Sequence, residues 1–381
     1  MKKQNQAAAT GKRVSELSGI HLVVLFFCIA SVFSWWFFIT LLSNSHSLLQ
    51  YGLFGSDDTL VTIGAAAMID TEDNMMVNNT RRIDGIIVNS PDKANFWPYA
   101  VMIENLRSVR PQSGLSQAAV VYEALVEGGA TRFLAVFDPS EIIPEIMPVR
   151  SARPYYIEWA SEYNALYVHA GGSPKALTVI WENPDFKDLE ALSRDSKYFW
   201  RDTTKYAPHN LVTSSEKMNF ALHDKELIDT KAKYQSWKFK DDATQEERGA
   251  DGKKLEFNFS YGTTYLVGYT YNQEQNYYLR ENANEPHLDK NTGKQIAVKN
   301  VIVQLVEGPV LNGGAGRLDI FVGGEGKAWV LRDGEIIEGI WKKGSRTDRT
   351  LFYDMDGNEL ELNRGNTWIH IITKTQDVTY N

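Results

Sequence analysis

Between Lys93 and Lys175 the chain carries no lysine, yet it holds Arg107, Arg110, Arg132, Arg150 and Arg153. A guanidinium presents a planar fork of donors that grips phosphate or carboxylate through paired bonds, whereas an ammonium acts as a point charge. Arg132 opens the apolar run RFLAVFD, and Arg150 and Arg153 sit in PVRSARP just ahead of a helical pattern. Each arginine falls at the edge of an expected strand or in the loop after one, where open α/β sheets form their ligand crevices. Arg132, Arg150 and Arg153 are therefore the expected anion-binding set. The competing reading uses Glu104, Glu123, Glu127 and Asp138 to neutralise these arginines as structural ion pairs.

His169-Ala-Gly171-Gly172-Ser173 follows an apolar run and opens a helical one. Free backbone N–H groups at such a turn, together with the helix dipole, would favour an anion, and His169 beside it would serve as general acid or base. A tight strand-to-helix turn with a hydrogen-bonded histidine explains the same residues. Ala207-Pro208-His209-Asn210 is a third candidate, with His209 and Asn210 able to reach a polar ligand and Pro208 able to stiffen a plain loop. The two histidines lack local zinc-ligand spacing, and an oxygen-held divalent cation such as Mg²⁺ would fall to Glu104 or Asp138. A hydrolase reading would join Glu123 or Glu127 to His169. Asp354-Met-Asp356-Gly357-Asn358 puts Glu359 where a calcium loop needs glycine, and the glycines at 313–316 and 323–326 precede no helix, so neither is a phosphate loop.

The elements that must position these groups are legible in the apolar pattern. Strands are expected at 100–103, 132–138 and 165–169, with helices from Gln117 to Glu127, from Pro154, and after a Ser173-Pro174 start. Ser116 would cap the first helix and Gly128-Gly129 would end it. Strands alternating with helices imply an α/β sandwich over residues 81–237. Residues 238–254 are charged and nearly free of apolar side chains, as a linker would be. Strand patterns then dominate 255–376, with hairpin turns at Asp333-Gly334 and Asp356-Gly357, giving a mostly antiparallel β domain. Trp329, Trp341 and Trp368 in that domain would form either core or a stacking surface for a sugar or protein.

Ahead of these regions, Ile20 to Leu42 contains no Asp, Glu, Lys or Arg, and as a helix it would span roughly 34 Å, enough to cross a bilayer. Lys2, Lys3, Lys12 and Arg13 precede it, which orients residues 1–19 as a cytoplasmic tail and everything after 42 outside the cytoplasm. Phe27 stands before Cys28, where a lipoprotein signal needs a small residue, so 20–42 reads as an uncleaved single-pass anchor and 43–80 as a tether. Without the basic residues of the tail and Glu16, the net charge of −8 becomes −11. An acidic exterior excludes a general nucleic-acid binder, and one cysteine excludes a disulfide framework or Cys-rich zinc site. The fold class is thus α+β: an N-terminal transmembrane helix, an α/β sandwich domain and a β domain.

The stretches IENLRSVRPQSGLSQAAVVYEALVEGGATRFLAVF, PVRSARPYYIEWA, YNALYVHAGGS and APHN, with HLDKNTGKQIAVKNVIV, GRLDIF and GIWKK further on, resemble the YerB-like family of bacterial envelope proteins. The resemblance covers residues 81–375 and implies a two-domain body at the envelope, but no activity. Many members are lipoproteins, from which the anchor here departs. A weaker likeness is to the LytR-CpsA-Psr phosphotransferases, which also join an anchor to an outer α/β domain. VMIEN with Glu104, TRFLAVF with Arg132, PVRSARP and HAGGS follow that family's motif order, although Ser151 replaces its loop Asp and the 117–127 helix is extra. That likeness implies arginines on the pyrophosphate of a lipid-linked polymer and an acidic residue on magnesium. The combined expectation is a membrane-anchored envelope protein that binds a phosphorylated or acidic cell-wall ligand, a glycan or lipid-linked phosphate, with phosphotransfer as its extension. The alternative is a non-enzymatic scaffold or a glycan- or protein-binding module.

Overall fold

The computed structural model describes residues 79–311, 316–373 and 378–381. The expected tail 1–19, anchor 20–42 and tether up to residue 78 lie outside the described residues. Among the described residues no helix is long and apolar enough to cross a membrane.

Apolar runs without a polar face build the first strands: β1 (Tyr99–Glu104), β2 (Val120–Leu125) and β3 (Thr131–Phe137), buried along nearly their whole length. α1 (Pro154–Ser161), β4 (Leu166–His169), α2 (Pro174–Trp181), β5 (Asp188–Glu190) and α3 (Ser215–Asp224) follow. Pro154 and Pro174 each occupy the first turn of a helix, where a missing N–H costs nothing, and the Ser173 hydroxyl accepts from Ala176 N at 3.3 Å. The rest is mainly strand: β6 (Lys254–Asn258), β7 (Leu266–Asn272), β8 (Tyr277–Asn282), β9 (Asn300–Val306), β10 (Gly324–Arg332), β11 (Glu335–Lys343), β12 (Leu351–Asp354), β13 (Thr367–Thr373) and β14 (Val378–Tyr380). Asp333 and Gly334 both take positive φ in the β10–β11 hairpin.

Ten of these strands share one sheet, in the order β12-β11-β10-β9-β13-β2-β3-β1-β4-β5. β13 lies parallel to both β9 and β2, so strands of the two halves are hydrogen-bonded to each other. A second sheet, with β8-β7-β6-β14 at its heart, covers one face of the first. α1 and α2 cover the other face, where Trp159 stacks on Tyr122 with ring centroids 5.2 Å apart. The result is a mixed α+β architecture, mostly strand with few helices. Phe239-Lys240, inside the segment expected to be a linker, pairs in parallel with Leu362-Asn363, and Lys240 Nζ lies 2.7 Å from Asp333.

The expected helix from Gln117 to Glu127 is instead β2. Both faces of VVYEAL are buried, and both edges are paired, to β3 and to β13. The burial of Val120, Val121 and Tyr122 between two neighbours outweighs the helix propensity of Glu, Ala and Leu. Gly128 and Gly129 take φ of 69° and 71° at the β2–β3 turn rather than ending a helix, and Gly114, not Ser116, precedes the single 3-10 turn at Leu115–Gln117.

Candidate functional site

β1 and β4 run parallel, but their pairing stops at Val101 and Val168. Beyond that point they part, and the PVRSARP segment enters between them. Glu104 N donates to Pro148 O (3.1 Å), Arg150 N to Met102 O (2.9 Å), Ala170 N to Arg150 O (3.0 Å) and Ala152 N to Gly171 O (2.9 Å). Prolines at 148 and 154 bracket the segment, and a residue before proline prefers extended backbone. The insertion therefore holds Arg150 and Arg153 at the C-terminal ends of two parallel strands. Register brings Arg132, at the start of antiparallel β3, opposite Glu104.

Three guanidiniums and two carboxylates meet there. Arg150 Nε lies 3.1 Å from Glu104 Oε1, and His209 Nδ1 donates to Glu104 Oε2 at 2.8 Å. Arg153 grips Glu127 through both oxygens, at 2.6 and 2.7 Å. Burial alone would raise the Glu127 pKa, but the Arg153 bonds outweigh it and hold the carboxyl below its usual range. Arg132 is different. Its Nη1 donates to the carbonyl of Ser151 at 3.0 Å, and among the described residues no carboxylate lies within ion-pair distance of it. Burial first, and then the neighbouring Arg153 and Arg150, push its pKa down. Arg132 thus sits in a locally positive field with only 8% of its surface exposed.

The glycine turn borders the same inserted segment, but its groups serve the chain itself. Gly171 N donates to Glu190 Oε1 at 2.8 Å, so the anion at this turn is an internal carboxylate, contrary to the expectation of free donors. Ser173 N donates to Ala152 O, and the Ser173 hydroxyl caps α2. A Cβ on Gly172 would approach Leu177 at 3.0 Å and Ala152 at 3.2 Å, so close packing accounts for this glycine. His169 is fully buried, with Nδ1 2.8 Å from Gly171 O and Nε2 3.2 Å from Asp188. Asn210 accepts from Arg201 and donates to the carbonyls of Asp202 and Lys205, bracing its own loop. Glu104, Arg132, Arg150, Arg153 and His209 are therefore brought together, whereas His169, Gly171, Gly172, Ser173 and Asn210 hold the surrounding backbone. With both Glu104 oxygens engaged, that residue is not an open metal ligand. Among the described residues no group of three or more His, Cys, Asp or Glu is placed to hold a metal ion.

A larger polar cluster escaped sequence reasoning. Between the two sheets, Arg280 of β8 meets Glu123 of β2 at 2.8 Å, with His370, His287, Gln112 and Asn105 around them, all buried. Alternation in NYYLREN, which buries Tyr278, Arg280 and Asn282 on one face, was the available signal. Trp368 and Trp341 are core, and Trp329 is half-buried with Nε1 bonded to Glu338, so these tryptophans do not form the stacking surface considered above.

Family models described as Protein of unknown function (DUF3048), N-terminal domain and C-terminal domain, match residues 85–228 and 255–369. A Bacillus subtilis (strain 168) protein named "Putative lipoprotein YerB" is 32% identical over 284 residues, covering 72% of this chain and 81% of its own. The chain belongs to the YerB-like DUF3048 family. A crystal structure of YerB protein from Bacillus subtilis matches with a TM-score of 0.69 at 28% identity, over 79% of this chain and 99% of that one. The arginine cluster falls wholly within the N-terminal DUF3048 region, and the Arg280–Glu123 contact joins the two DUF3048 regions. The likeness to LytR-CpsA-Psr phosphotransferases gains nothing from these comparisons.

Proposed function

We propose that the chain is a membrane-anchored cell-envelope protein whose N-terminal DUF3048 region binds a phosphorylated or acidic cell-wall ligand at Arg132, Arg150 and Arg153. One observation carries this reading: the cluster holds three guanidiniums against two carboxylates, and Arg132 is the one left facing only a carbonyl. An anion at Arg132 would relieve the repulsion from Arg150 and Arg153 and form charge-assisted bonds in a poorly solvated place. The envelope location is supported by the charge-free stretch 20–42 behind a basic tail, and by the lipoprotein name of the Bacillus relative. Binding is favoured over phosphotransfer, because Glu104 is already paired with Arg150 and His209 and His169 is sealed from solvent. Calorimetric titration of the full chain with inorganic pyrophosphate tests the reading. Saturable binding that weakens in Arg132→Gln supports it, and no saturable binding to the wild type refutes it.

A further inference from the structure

Arg107 and Arg110, the two arginines that this cluster leaves out, line a separate cleft of about 230 Å³. Its opposite wall comes from the C-terminal DUF3048 region and includes Asn282, Glu285 and His287. Asn282 is only 4% exposed, and its Nδ2 donates to Asn105 Oδ1 at 3.2 Å. The same Oδ1 accepts from Arg110 Nε and Gln112 Nε2, both at 3.0 Å, while Asn105 Nδ2 donates to Glu123 and Thr131. These donors fix which way both amides face. Asn282 Oδ1 is consequently a buried acceptor with no partner in the protein, a state that costs free energy unless a donor arrives.

Charge in the cleft is uneven as well. The Arg280 charge behind it is already met by Glu123, and His287 Nδ1 accepts from Arg280 while its Nε2 donates to Gln112. Among the residues lining the cleft, Glu285 is the one carboxylate set against Arg107 and Arg110. Burial, followed by the nearby Arg280, pushes the Arg110 pKa down to about 10, with Arg107 adding to the effect. A surplus of guanidinium charge admits an anion and disfavours an ammonium. The volume lies below the roughly 300–1,000 Å³ of pockets for drug-sized ligands, so the occupant has few heavy atoms.

We propose that this cleft binds a small α-hydroxy carboxylate, its carboxylate on Arg107 and Arg110 and its hydroxyl donating to Asn282 Oδ1. The carboxylate would gain the exposed Arg107 guanidinium and the Nη1 of Arg110, whose Nε and Nη2 already donate to Asn105 and Thr264, and the hydroxyl would satisfy the orphaned carbonyl. The site is independent of Arg132, so either proposal can fail without the other. Ligand-observed NMR titration of the full chain with glycolate, acetate and glycine tests it. Glycolate is expected to bind about tenfold more tightly than acetate, the value of one good hydrogen bond. Arg107→Gln, at an exposed position, weakens both acids, whereas Asn282→Ala removes the preference for glycolate over acetate. Equal binding of glycolate and acetate, tighter binding of glycine, or indifference to Arg107→Gln overturns the proposal.

Discussion

Arg280 Nη2 lies 2.8 Å from Glu123 Oε2, and neither side chain has any solvent exposure. The two residues belong to different sheets and to different halves of the chain. Glu123 Oε1 also accepts from Asn105 and Thr131, at 3.1 and 2.8 Å, and the Arg280 guanidinium lies 4.8 Å from the Trp368 ring centre. A buried pair of this kind is costly to break because it strands one charge, even where an apolar replacement of both would be tolerated. Glu123→Leu or Arg280→Met alone is expected to cost about 3–5 kcal/mol in urea unfolding, and the double replacement Glu123→Leu/Arg280→Met clearly less than the sum. Strict additivity would mean that the pair is not coupled.

Acid should act on the same cluster in two stages. Burial, then Arg280 and Arg110, hold the His287 pKa well below 6.5, and burial also lowers that of His370 against the opposing pull of Glu123. Below pH 6.5 the unfolded chain binds protons that these rings refuse, so stability falls as pH drops through that value, by up to about 1.4 kcal/mol per unit for each histidine. Glu123 runs at lower pH. Burial would raise its pKa, but Arg280 and then His370 bring it from 4.5 to about 2, so its contribution is present above 4.5 and lost as pH falls towards 2. Melting temperatures between pH 8 and 4 should decline first near 6.5, and the decline should be shallower in His287→Gln. A flat wild-type profile from pH 7.5 to 5 would contradict this assignment.

Gly339 of β11 pairs with Asp354 of β12. A Cβ there would stand 2.0 Å from the Tyr353 carbonyl oxygen, which cannot move without breaking the strand pairing. Gly339→Ala is expected to lose about 1–3 kcal/mol, the range for overpacking. Gly308→Ala, where a Cβ meets nothing within 4 Å, should change stability by less than about 0.5 kcal/mol. Thermal unfolding of the two variants side by side checks the contrast.

The proposed membrane attachment rests on the charge-free stretch 20–42. Removal of residues 1–43 should move the protein from the membrane pellet to the soluble fraction with its melting temperature unchanged. Persistence in the pellet after high salt would place the attachment elsewhere.

Much of the scaffold was legible in sequence because its signals are local. Proline at a helix start, a serine cap and unbroken apolar runs located α1, α2, β1, β3 and β4 to within a residue or two. β2 was not legible, because VVYEAL between a serine and two glycines satisfies a helix as well as a strand, and only its two neighbours decide. One of those neighbours, β13, lies some 240 residues further along, a long-range pairing that no local pattern encodes. A separation of 157 residues likewise hid Arg280 from Glu123. At the candidate site, residue type drew attention to Arg132, Arg150 and Arg153, which the fold brings together, whereas their partners depended on the inserted PVRSARP segment. The glycine turn shows the opposite error, since its geometry suits an anion but Glu190, from the neighbouring strand, supplies one.

The central claim is an anion site whose unanswered charge is Arg132, and calorimetry with inorganic pyrophosphate tests it most directly. The full-length wild type should bind saturably, and Arg132→Gln, with an unchanged circular dichroism spectrum, should bind roughly 10- to 100-fold more weakly, the value of one charge-assisted hydrogen bond. Equal affinity in the two proteins, or no saturable binding to the wild type, would contradict the account.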